Sequence, residues 1–382
     1  MKAVIAIDSF KGSLTSIEAG EAAKKGILRV FPDAEIMVFP VADGGEGTVD
    51  AFTAAGNASK QRIKVKGPLG NIIECEYAIL NDKVTAVIEM SAAAGITLVP
   101  YEERNPMNTT TYGVGEIIVD AIKKGCRRFI IGIGGSATND GGIGMLQALG
   151  FDILDENGNQ VSFGAKGLSQ ICSINCENSI KELAECSFNI ACDVTNPLCG
   201  DNGCSKVFAP QKGADEQMIE KMDRWLLNYA GIVKKLYPNS DKNFPGAGAA
   251  GGIGFAFLSF LNAKLQNGID LVLKETGIES YIKEADIVIT GEGKLDAQTA
   301  MGKAPAGIAK QAKKYSKLVV AFSGCVSDEA VICNQYGIDA YFPVLRSVCT
   351  LEEAMKGENA YKNMTDTAEQ VFRLIKSVRE IS

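Results

Sequence analysis

Residues 2–30 read KAVIAIDSFKGSLTSIEAGEAAKKGILRV, and this stretch decides the fold class. It opens with a mostly apolar run, Lys2 to Ile7, which is rich in β-branched residues and predicts a strand. Asp8 ends this run, and the segment TSIE at residues 15–18 matches the capping box that begins a helix. Apolar residues then recur at helical spacing to about Val30. The stretch therefore predicts a strand, a loop and a helix in succession.

The same succession recurs along the chain. Ile36 to Phe39 predicts a second strand, followed by a glycine-rich loop and another helix. Two such units imply a parallel sheet, with loops at the carboxyl ends of its strands. The rhythm breaks near Gln61, where residues 62–66 and 72–80 predict two strands around the turn Gly67 to Gly70. This break marks a candidate crossing between domains.

Length and composition narrow the functional classes. A single core stops growing at about 250 to 300 residues, so a chain of 382 residues predicts two domains. The 46 acidic and 39 basic residues give a net charge of -7, which argues against nucleic-acid or anionic-membrane partners. No stretch approaches the roughly 18 apolar residues that a membrane span needs. Eleven cysteines without C-x-x-C pairs favour free thiols, so we expect a cytoplasmic protein. The oligomeric state stays open, a homo-oligomer included.

Histidine is absent from the chain. Ser-His-Asp and Cys-His relays and His-ligated zinc are therefore excluded, because each requires an imidazole. Any proton transfer must use Asp, Glu, Lys, Tyr or Cys.

Four loops share a pattern in which a predicted strand ends and small residues follow with carboxylates among them. They are Asp8 to Ser13, Asp43 to Thr48, Gly132 to Gly142 and Thr290 to Asp296. Glycines let backbone N–H groups approach a ligand, and a following helix N-terminus favours an anion. Any single loop is explained equally well by a tight turn. Four together favour a phosphate-binding site with a divalent ion beside it.

Two other residues have chemical and structural interpretations of similar weight. Asp193 leaves a predicted buried strand shortly before the turn-forming pair Asn196-Pro197. Its carboxylate can accept a proton from a substrate hydroxyl, or it can cap the turn. Arg104, before Asn105-Pro106, can clamp a carboxylate or remain an ordinary loop arginine.

Two further functional classes also remain open. Gly132 to Ala137 fits G-x-G-x-x-A after a strand, as in a nicotinamide-dependent dehydrogenase of a small hydroxy acid with Asp152 or Asp155 on the ribose. A second glycine motif, Gly246 to Gly251, lacks the preceding strand, and no P-loop motif occurs. A non-catalytic effector-binding regulator should carry a DNA-binding helix pair or a basic face, which this sequence does not show.

Eight segments, in chain order, resemble the bacterial type I glycerate kinase family. They are DSFKGSLTS (Asp8 to Ser16), PVADGGEGT (Pro40 to Thr48), ERNPMNTTTYGVGE (Glu103 to Glu116), GIGGSATNDGG (Gly132 to Gly142), ACDVTNPLCG (Ala191 to Gly200), FAPQKGA (Phe208 to Ala214), PGAGAAGGIG (Pro245 to Gly254) and VITGEGKLDAQTAMGKAP (Val288 to Pro305). Together they span nearly the whole chain, so they are far more specific than any one glycine loop. Lys294 is a departure, because we expect arginine there in many members and a bidentate phosphate contact would be lost.

The resemblance implies an activity and a fold. The activity is phosphorylation of D-glycerate to 2-phosphoglycerate, with ATP as co-substrate and Mg2+ as cofactor. The fold is α/β with two domains. Residues 1–68 and 284–382 would form a discontinuous α/β domain, and residues 69–283 an inserted flavodoxin-like (Rossmann-type) parallel-sheet domain.

The resemblance and the chemistry together give roles to individual residues. Asp193 is the expected general base, and Lys11 is the second expected catalytic residue. Lys11, Asp43 and Arg104 are expected to bind glycerate. The nucleotide or its phosphates are assigned to Gly134, Gly135, Ser136, Thr138, Asn139, Asp140, Gly291 and Gly293, and the metal to Glu292 and Asp296.

Overall fold

The computed structural model describes residues 1–42, 45, 47–54, 56, 58–300 and 302–381. The chain divides into two compact units. The discontinuous unit comprises Met1–Asp43, Asp50–Asn57 and Ile269–Ser382, and the inserted unit comprises Gly44–Val49 and Ala58–Gly268. Strands and helices alternate along most of the chain, so the predicted α/β class is confirmed.

The described residues contain thirteen strands and fifteen α-helices. The strands are β1 (Lys2–Ile7), β2 (Glu35–Val38), β3 (Ala58–Lys66), β4 (Ile72–Leu80), β5 (Thr85–Glu89), β6 (Arg128–Gly132), β7 (Asp152–Leu154), β8 (Ser173–Asn175), β9 (Ser187–Ala191), β10 (Lys264–Gln266), β11 (Ile287–Leu295), β12 (Leu318–Val326) and β13 (Ala340–Pro343). The helices are α1 (Ser16–Leu28), α2 (Thr48–Ala54), α3 (Ser91–Ala94), α4 (Tyr112–Lys123), α5 (Ile143–Ala148), α6 (Ala165–Leu168), α7 (Cys204–Phe208), α8 (Glu216–Leu236), α9 (Ala249–Phe260), α10 (Gly268–Thr276), α11 (Ile278–Glu284), α12 (Ala297–Ala300), α13 (Ala304–Lys313), α14 (Leu351–Met355) and α15 (Gly357–Ile381). Short 3-10 helices cover Ile96–Leu98, Tyr101–Glu103, Lys181–Glu185, Pro210–Lys212 and Asp328–Tyr336.

The discontinuous unit is built on a parallel sheet. Among the residues described, its five strands follow the order β13-β12-β11-β1-β2. Numbered by their place in this unit, they run 2-1-3-4-5, which is the flavodoxin-like order. The direction of winding reverses between β1 and β11. Open α/β sheets bind ligands outside the carboxyl ends of their strands at this reversal.

Alternating side chains of β1 contribute to the core on both faces of this sheet. Ile5 and Ile7 pack in one apolar cluster with residues of α1 and α15. Val4 and Ala6 pack in the other cluster, which contains residues of α10, α11 and α13. Because side chains alternate along a strand, an apolar run such as β1 fits a sheet that is covered on both faces.

The inserted unit has a mixed sheet. In the part of this unit that the structure describes, six strands follow the order β10-β9-β6-β5-β4-β3. The first four are parallel, whereas β4 runs antiparallel to β5 and β3 runs antiparallel to β4. Helices α4, α5, α8 and α9 contribute to one apolar cluster with these strands.

Three details of the predicted domain organisation differ from the structure. The flavodoxin-like strand order lies in the discontinuous unit, whereas the inserted sheet is mixed rather than wholly parallel. The predicted boundary at residue 68 falls after β3, but β3 pairs with β4 from Ala58 to Lys66 and belongs to the inserted unit. The predicted boundary at residue 283 is too late, because Ile269 and Ile282 pack in the core of the discontinuous unit.

Two sequence expectations concern the chain as a whole. No helix of the described residues combines the length and apolarity needed to cross a membrane. All eleven cysteines lie among the described residues and are free thiols there.

Candidate active site

The loop after β1 begins at the reversal of the sheet in the discontinuous unit. The Asp8 N–H donates to the Gly291 carbonyl of β11 at 2.8 Å. The Asp8 side chain is almost fully buried, and its carboxylate accepts a hydrogen bond from the Ser9 N–H at 2.7 Å. Asp8 therefore places a carboxylate where the ends of β1 and β11 meet.

Lys11 lies in the tight turn that follows. The backbone groups of Phe10 and Leu14 exchange hydrogen bonds of 2.8 and 3.1 Å, and Gly12 has a left-handed φ of +78°. The Lys11 side chain is exposed, and it makes no ion pair or hydrogen bond with any described residue. An unpaired ammonium at this position suits an anionic ligand, which Lys11 is expected from the sequence to bind.

The segment predicted as a loop at residues 290–296 is largely strand. β11 continues to Leu295 and pairs with β12 as far as Val326. Gly291 is buried within this pairing, and a Cβ there would come within 2.0 Å of the Phe322 carbonyl oxygen. Close packing of the two strands thus explains the glycine at 291. Gly293, in contrast, lines a cavity and remains a candidate for phosphate contact.

The two predicted metal ligands lie at the end of β11. Glu292 is buried and accepts a hydrogen bond from the Thr299 hydroxyl at 2.5 Å, and its second oxygen lies 3.9 Å from the Lys303 ammonium. Asp296 lies 3.5 Å from the Lys294 ammonium and accepts from the Gln298 N–H at 3.0 Å. Both carboxylates thus lie near a lysine ammonium and accept a hydrogen bond from a hydroxyl or a backbone N–H.

The ionisation of Asp296 follows from its surroundings. Burial acts to raise the pKa of this carboxyl, but the nearby Lys303 ammonium and hydrogen bonds from Gln298, Lys294 and Thr299 act more strongly in the other direction. The pKa of Asp296 therefore lies below its ordinary value. The group is ionised at neutral pH and can ligate a cation.

A cavity of about 390 Å³ opens beside these residues, within the discontinuous unit. Its polar lining residues are Asp8, Ser9, Lys11, Glu292, Lys294, Asp296 and Lys303, and its apolar lining residues include Phe10, Val344, Leu345, Leu351, Ala354 and Met355. Within the described residues, no group of three or more Asp, Glu or Cys side chains is placed to hold a metal ion by itself. Glu292 and Asp296 thus share the cavity with three lysines but do not form a closed metal cage.

The loop Gly132 to Gly142 of the inserted unit divides into an exposed part and a buried part. Gly134 and Gly135 are exposed, and Gly135 has a left-handed φ of +71°. Ser136 is nearly buried and accepts a hydrogen bond from the Lys212 ammonium at 2.8 Å. Of the predicted phosphate ligands in this loop, Gly134 and Gly135 are the exposed ones.

Three other predicted ligands of this loop, Thr138, Asn139 and Asp140, have completely buried side chains. The Asn139 amide donates to the Ser205 hydroxyl at 2.9 Å. The Asp140 carboxylate accepts from the N–H and hydroxyl of Thr111 at 2.9 and 2.8 Å. Burial raises the pKa of Asp140, and these hydrogen bonds oppose the rise. The Asn139 and Asp140 side chains therefore order the loop, whereas the Thr138 hydroxyl has no hydrogen-bond partner among the described residues. As placed here, none of the three side chains has access to a ligand at the surface.

Lys212 was not assigned a role from the sequence, although it lies in the matched segment FAPQKGA. It is 2% exposed, and its ammonium also donates to the Thr138 carbonyl at 2.6 Å. Burial lowers the pKa of Lys212 to about 8, and the charge of Asp140 acts in the opposite sense. Lys212 is therefore a buried cation at neutral pH, and it holds the Gly132 to Gly142 loop by its hydrogen bonds to Ser136 and Thr138.

Asp193 lies just beyond the carboxyl end of β9, as the sequence predicted. Its side chain is exposed, and one carboxylate oxygen accepts from the Gly268 N–H at 2.9 Å. The turn at Asn196-Pro197 packs against the second glycine motif. The Gly248 N–H donates to the Asn196 carbonyl at 3.0 Å. A Cβ on Gly248 would come within 2.1 Å of the Pro197 carbonyl oxygen, so only glycine fits there. The motif at 246–251 is thus a backbone-packing element.

Arg104 is half-buried in the inserted unit. Its guanidinium carbon lies 5.2 Å from the centre of the Tyr101 ring, and its buried Nε has no hydrogen-bond partner among the described residues. Gly213 packs on its backbone, since a Cβ there would come within 2.1 Å of the Arg104 carbonyl oxygen. An arginine without a carboxylate partner can bind the carboxylate of a ligand. The other predicted acid ligand, Asp43, lies outside the described residues.

Comparisons with known proteins match almost the whole chain to one family. The model of the glycerate kinase family matches residues 3–376. The chain belongs to the glycerate kinase family. It is 48% identical over 364 residues to the glycerate 2-kinase of Escherichia coli (strain K12), which covers 95% of each chain. It is 45% identical over 376 residues to the glycerate kinase of Bacillus subtilis (strain 168), which covers 98% of each.

A solved structure of a family member has the same fold. This crystal structure, of a protein assigned as glycerate kinase 2 from Salmonella typhimurium LT2, matches with a TM-score of 0.90 and 43% identity. The match covers 100% of this chain and 99% of that one. The resemblance inferred from eight sequence segments is thereby confirmed.

Membership in the glycerate kinase family leaves little support for the dehydrogenase alternative. A dinucleotide site needs a helix that opens directly on the glycine loop. Here α5 begins at Ile143, after the further stretch from Thr138 to Gly142. Asp152 accepts hydrogen bonds from Gln160 and Asn178 in place of a ribose.

Proposed function

We propose that the protein transfers the γ-phosphoryl group of ATP to D-glycerate and forms 2-phosphoglycerate. One observation carries the proposal. The chain is 48% identical to a protein named glycerate 2-kinase, and the match covers 95% of both chains. Charged residues that follow strands in each unit, Lys11 and Asp296 in the discontinuous unit and Asp193 in the inserted unit, provide groups for an anionic acid and a nucleotide.

Mg2+ is the proposed cofactor, held by Glu292 and Asp296 together with phosphate oxygens of ATP. Mg2+ usually takes one or two protein carboxylates plus phosphate and water oxygens. Two ionisable carboxylates beside lysines fit that pattern better than a closed protein cage would. When bound, the ion would neutralise charge on the phosphates.

The phosphates are proposed to contact backbone and hydroxyl groups of four residues: Gly134, Gly135, Ser136 and Gly293. An indirect role is proposed for the other predicted phosphate ligands: Thr138, Asn139 and Asp140 would order their loop, and Gly291 its strand.

Arg104 is the proposed partner of the glycerate carboxylate, with Asp43 at a glycerate hydroxyl. The half-buried guanidinium has no carboxylate partner among the described residues, so it gains charge-assisted hydrogen bonds when a carboxylate arrives. Lys11, unpaired in the discontinuous unit, is proposed to act on the transferred phosphoryl group and on the acid by its charge.

Asp193 is the proposed general base. As the 2-hydroxyl oxygen bonds to the γ-phosphorus, the bond from phosphorus to the bridging oxygen of ADP breaks, and the hydroxyl proton passes to the Asp193 carboxylate. The Gly268 N–H fixes the orientation of that carboxylate. A carboxylate base agrees with a chain that has no histidine.

A coupled assay of ADP release tests the function directly. We expect turnover with D-glycerate and less or none with L-glycerate and tartronate, and phosphorus NMR should identify the 2-phosphate. Absence of turnover on every hydroxy acid would contradict the kinase activity. A 3-phosphate product would contradict only the regiochemistry.

A further inference from the structure

The cavity of the discontinuous unit is larger than a three-carbon acid requires. Its volume of about 390 Å³ falls within the roughly 300–1,000 Å³ typical of pockets for drug-sized ligands. Its lining combines charged side chains with apolar ones, and we call the apolar lining residues its apolar side. D-glycerate carries only a carboxylate and hydroxyls on three carbons, so the apolar side offers it no favourable contacts.

The apolar side is built by α14 and the segment before it. A complete capping box fixes the start of α14: the Glu353 N–H donates to the Thr350 hydroxyl, and the Thr350 N–H donates to the Glu353 carboxylate. Leu351 and Met355 are four residues apart and therefore share one face of this helix. They remain 75% and 37% exposed although they line the cavity. A flat apolar ligand would remove this surface from water.

Asn363 adds one polar group to the lining of the cavity. It lies on α15, one turn after Ala360, and both residues line the cavity. The Asn363 side chain forms no hydrogen bond with the residues that the structure describes. A carboxamide places an N–H donor and a carbonyl acceptor side by side in one plane, which suits the edge of a nucleobase.

We propose that the nucleoside half of ATP binds the apolar side of this cavity, with the base against Leu351 and Met355 and its edge on Asn363. The triphosphate then extends toward Lys11, Lys294 and Lys303. This inference rests on the proposed function and specifies the nucleotide site within it.

The carboxamide also determines which base is preferred. Adenine presents a donor and an acceptor on its N6/N7 edge, which match the acceptor and donor of Asn363. Guanine presents two acceptors on the same edge, so one of them would face the carboxamide oxygen. Asn363 should therefore favour ATP over GTP.

Cys325 reports on occupancy of the cavity. Its thiol is exposed, lines the cavity and pairs in register with Lys294. The exposed Cys349 of the same unit does not line it. We would alkylate the full-length protein and follow each cysteine by peptide mass spectrometry. Saturating ATP should slow the reaction of Cys325 about tenfold, whereas D-glycerate alone should leave it unchanged. Cys349 serves as the internal control.

Two variants locate the base. Ala354→Phe fills the apolar side and should raise the KM for ATP at least tenfold, with the KM for D-glycerate within twofold of wild type. Val348→Phe is the matched control, because Val348 is fully exposed in the adjacent segment and does not line the cavity. Asn363→Ala should bring the ratio of kcat/KM for ATP over GTP close to one.

The outcomes separate the nucleotide site from the overall function. Protection of Cys325 by D-glycerate and not by ATP, or an Ala354→Phe enzyme with an unchanged KM for ATP, would overturn the inference while leaving the kinase activity standing. A wild-type enzyme that uses GTP as well as ATP would overturn the role of Asn363. Protection by ATP without turnover of any hydroxy acid would support the inference and contradict the proposed function.

Discussion

Two charged side chains of the inserted unit, Asp193 and Lys212, have opposite surroundings. Asp193 is exposed at the end of β9, and Lys212 is 2% exposed under the Gly132 to Gly142 loop. The sequence predicted the position of Asp193, because a carboxylate directly after a buried strand must lie at the edge of the sheet. Burial of Lys212 depends on tertiary packing, so the local sequence pattern could not predict it.

Replacement of Asp193 by Asn should lower kcat by about 100-fold or more, since a positioned general base contributes roughly 10² to 10⁴ in rate. The amide keeps the size of the side chain and can still accept from the Gly268 N–H. The KM for ATP and the thermal midpoint should therefore change little. Steady-state kinetics with D-glycerate and a thermal melt provide the measurements.

Asp201→Asn is the matched control. Asp201 has a 96% exposed side chain paired with Lys206, and ion pairs at the surface contribute little to stability because water screens them. This variant should retain wild-type kcat. A wild-type kcat in Asp193→Asn would exclude Asp193 as the base.

Lys212 should make stability depend on pH. Its pKa is about 8 in the folded protein and about 10.4 in an unfolded chain. Between these values the unfolded chain binds more protons, so Lys212 makes the free energy of unfolding rise with pH. Below pH 8 the residue is protonated in both states, and its unfavourable contribution is complete and constant. We expect the free energy of wild type minus that of Lys212→Met to increase from about pH 8 to pH 10 in urea denaturation. A constant or falling difference would show that the ammonium is not penalised by burial.

At the scale of elements, α1 shows what a local signal can predict. Thr15 and Glu18 form the capping box inferred from TSIE, with hydrogen bonds of 3.2 and 2.8 Å. The strand extension of β11 to Leu295 was missed, because its glycines and charged residues resemble a loop until the pairing with β12 is known. The loop at 132–142 was recognised, but its inward-facing side chains could not be separated from the exposed ones.

Contact between α1 and α15 requires a glycine. A Cβ on Gly26 would lie 2.2 Å from the Thr365 carbonyl oxygen and 2.9 Å from Ala368 Cβ. Gly26→Ala should force the helices apart and lower the free energy of unfolding by about 1 to 3 kcal/mol. Gly231→Ala on α8 is the control, because no atom lies within 4 Å of its added Cβ. The control should gain about 0.5 to 1 kcal/mol from helix propensity. Equal effects in urea denaturation would argue against a close helix contact.

At the scale of the whole molecule, length alone predicted two domains but could not place their boundaries. A boundary is set by which residues share a core, and that is a property of distant pairing. β3 looks like part of a turn-linked hairpin at the crossing, and its pairing with β4 assigns it to the inserted unit. The positions of α10 and α11 depend on packing of Ile269 and Ile282 in a core whose strands are far away in the chain.

The inserted unit should fold by itself. Its apolar cluster draws only on residues from 63 to 265, and the two clusters of the discontinuous unit draw on none of these. A fragment of residues 58–268 contains all strands of the mixed sheet and is larger than the roughly 100 to 150 residues of a common domain. We expect it to unfold cooperatively in urea and to retain a near-ultraviolet circular dichroism signal, but to lack kinase activity because Lys11, Glu292 and Asp296 are absent.

The matched fragment 69–283, cut at the boundaries predicted from sequence, removes β3 from the sheet edge and adds helices that lack their core. It should be less stable than 58–268. If 69–283 were the more stable fragment, the assignment of β3 to the inserted unit would be wrong.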